Sequence, residues 1–554
     1  MSDPSPVERL IAAATPRDPR ALGSLVGRLA AADLVTGVRT DGMPAPSGTL
    51  DDVAVTGVTE DSRAVTPGSL FVAIGGFHVD GHDYVVRAAG AGAPAAIVER
   101  ALPGVPIPQI VVRAARPALA HAAGWWFGDP SRELGVVGIT GTDGKTTTSF
   151  LAVAALEAAG LSTGLIGTVE TRVGPERERH EAHATTPAAP ELQAMLRAMA
   201  ANGNAAAVVE TTSHALELER VAGVAYDAAV FTNLTHEHLE LHGTFEQYRA
   251  AKLRLFEALA PGPGNPVKLV GGRPWPKVAI VNRDDPAASF FAAAGHAAGA
   301  HVVTYGADPA ADVRAIGVEE DASRLRVRYT RPTGDGDRRR EGSLDLRLAG
   351  RFNVHNALAV VALGIGLGLD EDAVRAGLEG VPGVPGRMER IDAGQPFGVI
   401  VDYAHSPASL QAVLDLLAPV AAARGGGLIA VFGSAGERDT AKRAVMGRIA
   451  GERCRLVVAT DEDPRGEPPE SIVDEIARGA EAVGRRRGID LLAIPDRRAA
   501  IEAAFEHARP ADMVLLAGKG HEPTILYADH AIPWDEAAVA REVLAAMGWP
   551  SGSR

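Results

Sequence analysis

The segment Val136-Val137-Gly138-Ile139-Thr140-Gly141-Thr142-Asp143-Gly144-Lys145-Thr146-Thr147-Thr148 runs from an apolar strand into a glycine-rich turn that ends Gly-Lys-Thr. These residue types suit a nucleotide phosphate. Glycines let backbone N–H groups approach the phosphate oxygens, the lysine adds positive charge, the threonine hydroxyl can ligate Mg²⁺, and the following helix N-terminus adds its dipole. Gly141, Thr142, Asp143, Gly144, Lys145, Thr146 and Thr147 are therefore the candidate ATP contacts. The usual spacing puts a glycine where Ile139 stands, so the turn is a shortened variant.

Glu210 ends the run Ala206-Ala207-Val208-Val209, and Thr211-Thr212-Ser213-His214 follow it. A carboxylate at a strand end facing a phosphate turn can share Mg²⁺ with Thr146; the same carboxylate could instead cap a helix. Phe231 to Gly243 holds His236, His238 and His242 with Glu237 and Glu240. The His-Glu-x-x-His spacing of a zinc protease is absent, and solvated loop histidines are the plain alternative. A second Mg²⁺ needs only one or two protein ligands beside phosphate oxygens, which this loop could supply. Lys252 reads by itself as a surface lysine on the amphipathic stretch 246 to 257.

These groups need a rigid frame. The chain has 554 residues, enough for about three domains, with 46% hydrophobic and 22% charged residues. Short apolar runs at Val53-Ala54-Val55, Ser69 to Ile74 and Ala95 to Val98 predict a small α/β unit, closed by a helix over Ala118 to Phe127. The turn Gly128-Asp129-Pro130-Ser131 puts a boundary near 133. Strand-like runs at Ala206-Val209, Ala228-Thr232, Val278-Asn282 and His301-Tyr305, alternating with Ala-rich helical segments, predict a wound parallel sheet with ligands at the strand C-termini. The Arg- and Gly-rich stretch 332 to 342 predicts an exposed hairpin turn, and Gly350-Arg351-Phe352-Asn353 opens a helix. A second boundary near 346 follows. Runs at Gly398-Val401, Leu428-Phe432, Leu456-Ala459, Leu491-Ile494 and Met513-Ala517 predict a third, Rossmann-like α/β domain. The division is thus 1–133, 134–346 and 347–554.

The formal charge of −14 leaves no general basic face, which disfavours nucleic acid. One cysteine, Cys454, excludes an intramolecular disulfide and reads as a small core residue. No apolar run is long enough to cross a bilayer, so the expectation is a cytoplasmic protein without membrane insertion.

Gly141 to Thr146, Glu210-Thr211-Thr212-Ser213-His214, Thr232-Asn233 with His238, Tyr248-Arg249-Ala250-Ala251-Lys252, and Gly350-Arg351-Phe352-Asn353-Val354-His355-Asn356 occur in the order found in Mur ligases. The chain resembles that family from about residue 53 onward. These ATP-dependent enzymes build the peptide stem of the peptidoglycan precursor through an acyl phosphate. The resemblance implies a central ATP-binding domain flanked by a UDP-binding domain and a C-terminal domain that binds ATP and the incoming amino acid. It implies that Lys252 is carbamoylated and joins His238 at one Mg²⁺, with Thr146 and Glu210 at another. It further implies ATP contacts from Asn233, Asn356, Arg387 and Asp402. Lys145, Lys252, His214 and Arg387 are the implied catalytic set, with no proton transfer assigned to His214.

Asp61-Ser62-Arg63 and Asp80-Gly81-His82 resemble the family's uridine-nucleotide domain, with Ser62 as the implied contact. Thr185, Thr186, Thr212 and Arg220 resemble its muramoyl-peptide contacts, although Leu218 replaces an expected glutamine. Gly433 to Asp439, with Lys442-Arg443, and Gly518-Lys519-Gly520-His521-Glu522 resemble the member that adds the third stem residue to UDP-N-acetylmuramoyl-dipeptide. Arg438, Asp463, Arg465, Gly518 and Glu522 are the implied amino-acid contacts. Where the diaminopimelate form has Asp-Asn-Pro-Arg, this chain has Glu462-Asp463-Pro464-Arg465. Arg465 suits an extra carboxylate, whereas Asp463 favours a bare ammonium as on lysine or ornithine, and both readings stay open. A folate-type polyglutamate ligase and a non-catalytic nucleotide-binding scaffold are the rival functions. A monomer is expected.

Overall fold

The computed structural model describes residues 4–40, 43–76, 79–179, 184–235, 239–320, 324–333 and 339–549. It has the three-domain α/β architecture expected. The central domain is built on a sheet of eleven described strands. Its middle is parallel: Thr163–Ile166, Ala206–Glu210, Gly135–Thr140, Ala228–Phe231, Val278–Asn282 and His301–Gly306 lie side by side. Both faces are covered, so the middle strands read as unbroken apolar runs rather than as alternating ones. Antiparallel strands extend the two edges, including Leu325–Pro332 paired with Arg339–Leu346, the arms of the hairpin expected around 332 to 342.

The N-terminal sheet runs Met43–Ala45, Val35–Thr40, Gln109–Val112, Ala96–Val98, Ser69–Val72, Gly57–Thr59. The C-terminal sheet runs Glu389–Ile391, Gly398–Asp402, Met513–Ala517, Leu428–Phe432, Leu456–Ala459, Leu491–Ala493, with the last five parallel. Parallel strands bring their C-termini to one edge, which places residues 402–405, 433–438, 461–465 and 518–522 together.

Two segments pack away from the divisions at 133 and 346. Helix Phe352–Leu367 is apolar on nearly every side, and together with Glu371–Gly380 it packs on the central domain's helix Lys145–Ala158, inside the central core. Helix Pro6–Ala14 packs on Ala189–Ala201, and the Ser5 hydroxyl donates to Glu178 Oε2 at 2.6 Å. Among the described residues, no helix is long and apolar enough to cross a membrane.

Candidate functional site

The strand Gly135–Thr140 delivers its chain into Gly141 and Gly144, both at positive φ, and Gly144 caps the helix that begins at Lys145. The turn is clamped from the next strand. Asn233 Oδ1 accepts from Asp143 N at 2.9 Å, its Nδ2 donates to Asp143 O at 3.1 Å, and Thr142 N donates to Asn233 O at 2.9 Å. Asn233 thus holds the backbone of the phosphate turn with both its side-chain amide and its own carbonyl. Lys145 Nζ lies over the same turn, donating to Gly141 O at 3.1 Å and Thr142 O at 2.7 Å.

Glu210 is fully buried and surrounded by hydroxyls. Its Oε2 accepts from Thr146 Oγ1 at 3.1 Å and from Thr168 Oγ1 at 2.7 Å, and its Oε1 accepts from Thr168 N at 3.1 Å. A buried carboxylate beside a phosphate turn, ringed by neutral oxygen donors, fits a hard divalent cation. Thr168 is a member that sequence reasoning missed. Its signals were weak: a threonine after a strand, preceded by Gly167, whose missing side chain leaves room for Glu210.

Lys252 is not the surface lysine that its amphipathic stretch suggests by itself. Helix Phe245–Glu257 buries Tyr248, Ala251, Lys252, Leu255 and Phe256 on one stripe, and Lys252 is 1% exposed. Its Nζ donates to Gly141 O at 2.8 Å and stands 4.6 Å from the Tyr248 ring centroid. Tyr248 OH lies 3.0 Å from Thr142 Oγ1, and the His242 ring links Tyr248 to His214 with centroid distances of 5.2 and 5.8 Å. The fold therefore gathers Lys252, His214 and His242 beside the phosphate turn. His238, the other expected metal ligand here, lies outside the described residues.

From Glu210 a chain of contacts leads to the N-terminal domain. Thr186 Oγ1 donates to Glu210 O at 2.7 Å, Thr212 Oγ1 is 3.3 Å from Thr186 Oγ1, and Arg220 Nη1 donates to Thr186 O at 2.9 Å. Thr185 Oγ1 lies 3.1 Å from Thr168 Oγ1. Arg220 and Ser62 both line a cleft of about 660 Å³ between the first two domains, together with Glu60, Arg87 and Arg116. Asp61 closes the Ser62 turn by accepting from Arg63 N and its guanidinium, each at 2.8 Å. Burial raises the Glu60 carboxyl above its usual range, and Arg220 opposes that shift. Glu60 was not read from the sequence, where it looks like one more charge beside Asp61.

Asn356 reaches the phosphate turn from helix Phe352–Leu367, accepting from Thr148 Oγ1 at 3.2 Å. The remaining predicted residues form a second cluster, on the C-terminal domain. Asp402 accepts from Met388 N at 2.8 Å and Ala404 N at 2.9 Å, fixing the turn that carries Arg387. Burial raises the Asp402 carboxyl, against the attraction of Arg387. Lys519, fully buried, donates to Asp463 Oδ1 at 2.9 Å and to Glu522 Oε2 at 2.7 Å. Asp463 Oδ1 also accepts from Leu526 N at 3.0 Å. The sequence leaves Asp463 open to an ammonium of the substrate, and the fold gives it an internal one in Lys519, a pairing with no local signal in the sequence.

Beside this pair, Glu462 Oε2 is buried without a hydrogen-bond partner among the described residues and faces Gly518. Arg465 sits at φ +55°, and its Nε is likewise unpartnered. Arg438 is exposed on the turn after strand Leu428–Phe432. That turn is held from below by Arg443, which is buried, donates to Ala435 O at 3.2 Å and pairs with Glu467 and Glu475.

Three family models match the chain: the Mur ligase family catalytic domain over residues 54–123, the Mur ligase middle domain over 139–364, and the Mur ligase glutamate ligase domain over 386–520. A UDP-N-acetylmuramyl-tripeptide synthetase of Roseiflexus sp. (strain RS-1) is 51% identical over 501 residues, covering 89% of this chain and 95% of that one. The UDP-N-acetylmuramoyl-L-alanyl-D-glutamate--2,6-diaminopimelate ligase of Bacillus licheniformis is 39% identical over 494 residues, covering 89% and 95%. A solved structure of a UDP-N-acetylmuramoyl-L-alanyl-D-glutamate--2,6-diaminopimelate ligase aligns with a TM-score of 0.62 at 28% identity, covering 90% of this chain and 96% of that one.

Proposed function

The chain belongs to the Mur ligase family, and from that premise we propose that it adds a diamino acid to UDP-N-acetylmuramoyl-L-alanyl-D-glutamate at the expense of ATP. The terminal carboxylate of the dipeptide takes the γ-phosphoryl group of ATP. The amine of the diamino acid then attacks the acyl phosphate, expelling phosphate and leaving an amide, with ADP as the other product.

The observation that carries this reading is the run of contacts Thr146, Glu210, Thr186, Arg220, which joins the phosphate turn to the cleft holding Ser62. A substrate anchored in that cleft can extend its carboxylate toward the transferred phosphoryl group. Catalysis is then mostly charge neutralisation and placement. Lys145 holds ATP oxygens through its ammonium, and Arg387 meets the γ-phosphoryl when the C-terminal domain closes. Thr146 and Glu210 would hold one Mg²⁺, and Lys252, as its carbamate, would hold a second with His238. Magnesium supplies positive charge to the phosphate oxygens. A free ammonium at Lys252 would repel that cation, which is the physical sense of the carbamate.

On the amine side, Glu522, Gly518, Arg438, Asp463 and Arg465 surround the incoming amino acid. Asp463 acts through Lys519, so the net charge of the Asp463, Lys519 and Glu522 group decides how an ammonium is received. All of these groups come from one chain, which works as a monomer in the cytoplasm.

The test is phosphate release by the full chain, given ATP, Mg²⁺, UDP-N-acetylmuramoyl-L-alanyl-D-glutamate and a diamino acid. Release that requires both substrates supports the ligase. Release with a folate and glutamate instead, or none at all, overturns it.

A further inference from the structure

Three turns of the C-terminal domain, carrying Arg387, Asp402 and Glu522, converge on one side chain that the reading above leaves unused: Tyr403. Its hydroxyl donates to Glu522 Oε1 at 3.1 Å. Its ring lies under the Arg387 guanidinium, 4.7 Å from centroid to Cζ, within range of a cation–π contact. The rings of His405 and His521 flank it at 4.7 and 4.9 Å.

The backbones interlock around it. A Cβ at Gly386 would stand 2.3 Å from His521 N, and one at Gly520 would stand 2.8 Å from Tyr403 Cβ, so residues 386, 403 and 520 pack at glycine distance. Among the described residues, Arg387 Nε is buried without a hydrogen-bond partner, so the aromatic face, together with the attraction of Asp402, holds the guanidinium. On the other side, Glu522 continues through Lys519 to Asp463. Burial and the neighbouring Glu522 push the Tyr403 phenol above its usual range, so it remains a donor at neutral pH.

We propose that Tyr403 is a positioning residue with two separable outputs: its ring aims Arg387 at the transferred phosphoryl group, and its hydroxyl aims Glu522 at the incoming amine. The inference rests on the ligase reading and goes beyond it by assigning one side chain to both half-reactions. A group with two outputs can be cut at either one.

The experiment uses the full chain and two variants. The first half-reaction is read as positional isotope exchange in ATP labelled at the β,γ-bridge, with UDP-N-acetylmuramoyl-L-alanyl-D-glutamate present and no amine. The second is read as kcat and KM for the diamino acid. Tyr403→Phe keeps the ring and loses the donor, so exchange should stay within about twofold of the wild type while KM for the diamino acid rises about tenfold, the loss of one hydrogen bond to a charged group. Tyr403→Leu loses both contacts, and exchange should fall at least about tenfold as well. Should the leucine variant fail to fold, Tyr403→His takes its place as a variant with an altered ring and no phenol.

A Tyr403→Phe enzyme with an unchanged KM, or equal losses in exchange and in capture for both variants, would overturn the assignment. A wild-type chain that turns over while Tyr403→Phe matches it refutes Tyr403 alone. A wild-type chain that releases no phosphate refutes the ligase reading itself.

Discussion

Gly144 lies against the carboxamide of Asn356: a Cβ built on Gly144 would stand 2.4 Å from Asn356 Oδ1. The phosphate turn and the helix that follows residue 350 are therefore fitted to each other at a spacing that only glycine allows. Asn356 Oδ1 also accepts from Thr148 Oγ1 at 3.2 Å while its Nδ2 donates to Asn353 Oδ1, so it ties that helix to the first turn of Lys145–Ala158.

Gly144→Ala should consequently weaken ATP or ADP binding at least about tenfold. The φ of +82° costs a residue with a side chain about 1 kcal/mol before the clash with Asn356 is counted. Calorimetric titration with ADP checks this, and an unchanged affinity contradicts the fit.

Lys252→Ala should nearly abolish phosphate release, and short-chain carboxylic acids should restore part of it. An acid small enough to enter the space left by the side chain replaces the carbamate's anionic oxygens. A variant with wild-type turnover would remove the carbamate from the account.

Thr168→Val should raise the Mg²⁺ concentration giving half-maximal phosphate release several-fold, with KM for the diamino acid unchanged. The hydroxyl donates to Glu210 Oε2 at 2.7 Å and so sets where that carboxylate oxygen points. A shift in the diamino acid KM and none in the Mg²⁺ dependence would place Thr168 elsewhere in the mechanism.

Asp461 gives a pH signature. Burial raises its carboxyl from 3.8 to about 6, against the hydrogen bond from Tyr527. The folded group keeps its proton where the unfolded one has lost it, so its stabilising share is largest below about pH 4 and is lost as pH rises through about 6. Asp461→Asn should match the wild type near pH 4 and exceed it above pH 6, by on the order of 1 kcal/mol once solvent screening is allowed for. Chemical denaturation at several pH values checks this; a constant difference across pH would contradict it.

The strands that carry the site were legible because buried parallel strands are continuous apolar runs, and the runs at 206–209, 278–282, 428–432 and 513–517 all became strands. The phosphate turn was legible because its glycines and lysine are adjacent in sequence. Lys252 was legible only through resemblance: a lysine on an amphipathic helix looks solvated until the helix's packing face is known. Thr168, Glu60 and the pairing of Lys519 with Asp463 were hidden for a related reason. Each depends on a partner 42 to 160 residues away, or on a cleft between domains, and none differs locally from an ordinary polar residue. The packing of 352–380 on the central sheet was equally hidden, because an all-apolar helix does not declare which core receives it.

The most direct measurement is a single reaction with ATP, Mg²⁺, UDP-N-acetylmuramoyl-L-alanyl-D-glutamate and equal amounts of meso-diaminopimelate, L-lysine and L-ornithine, followed by phosphate release and by the mass of the nucleotide-linked product. One phosphate released per amide formed, with a product heavier by one diamino acid residue, is the expected result. Phosphate released without that product, or neither of them, would contradict it.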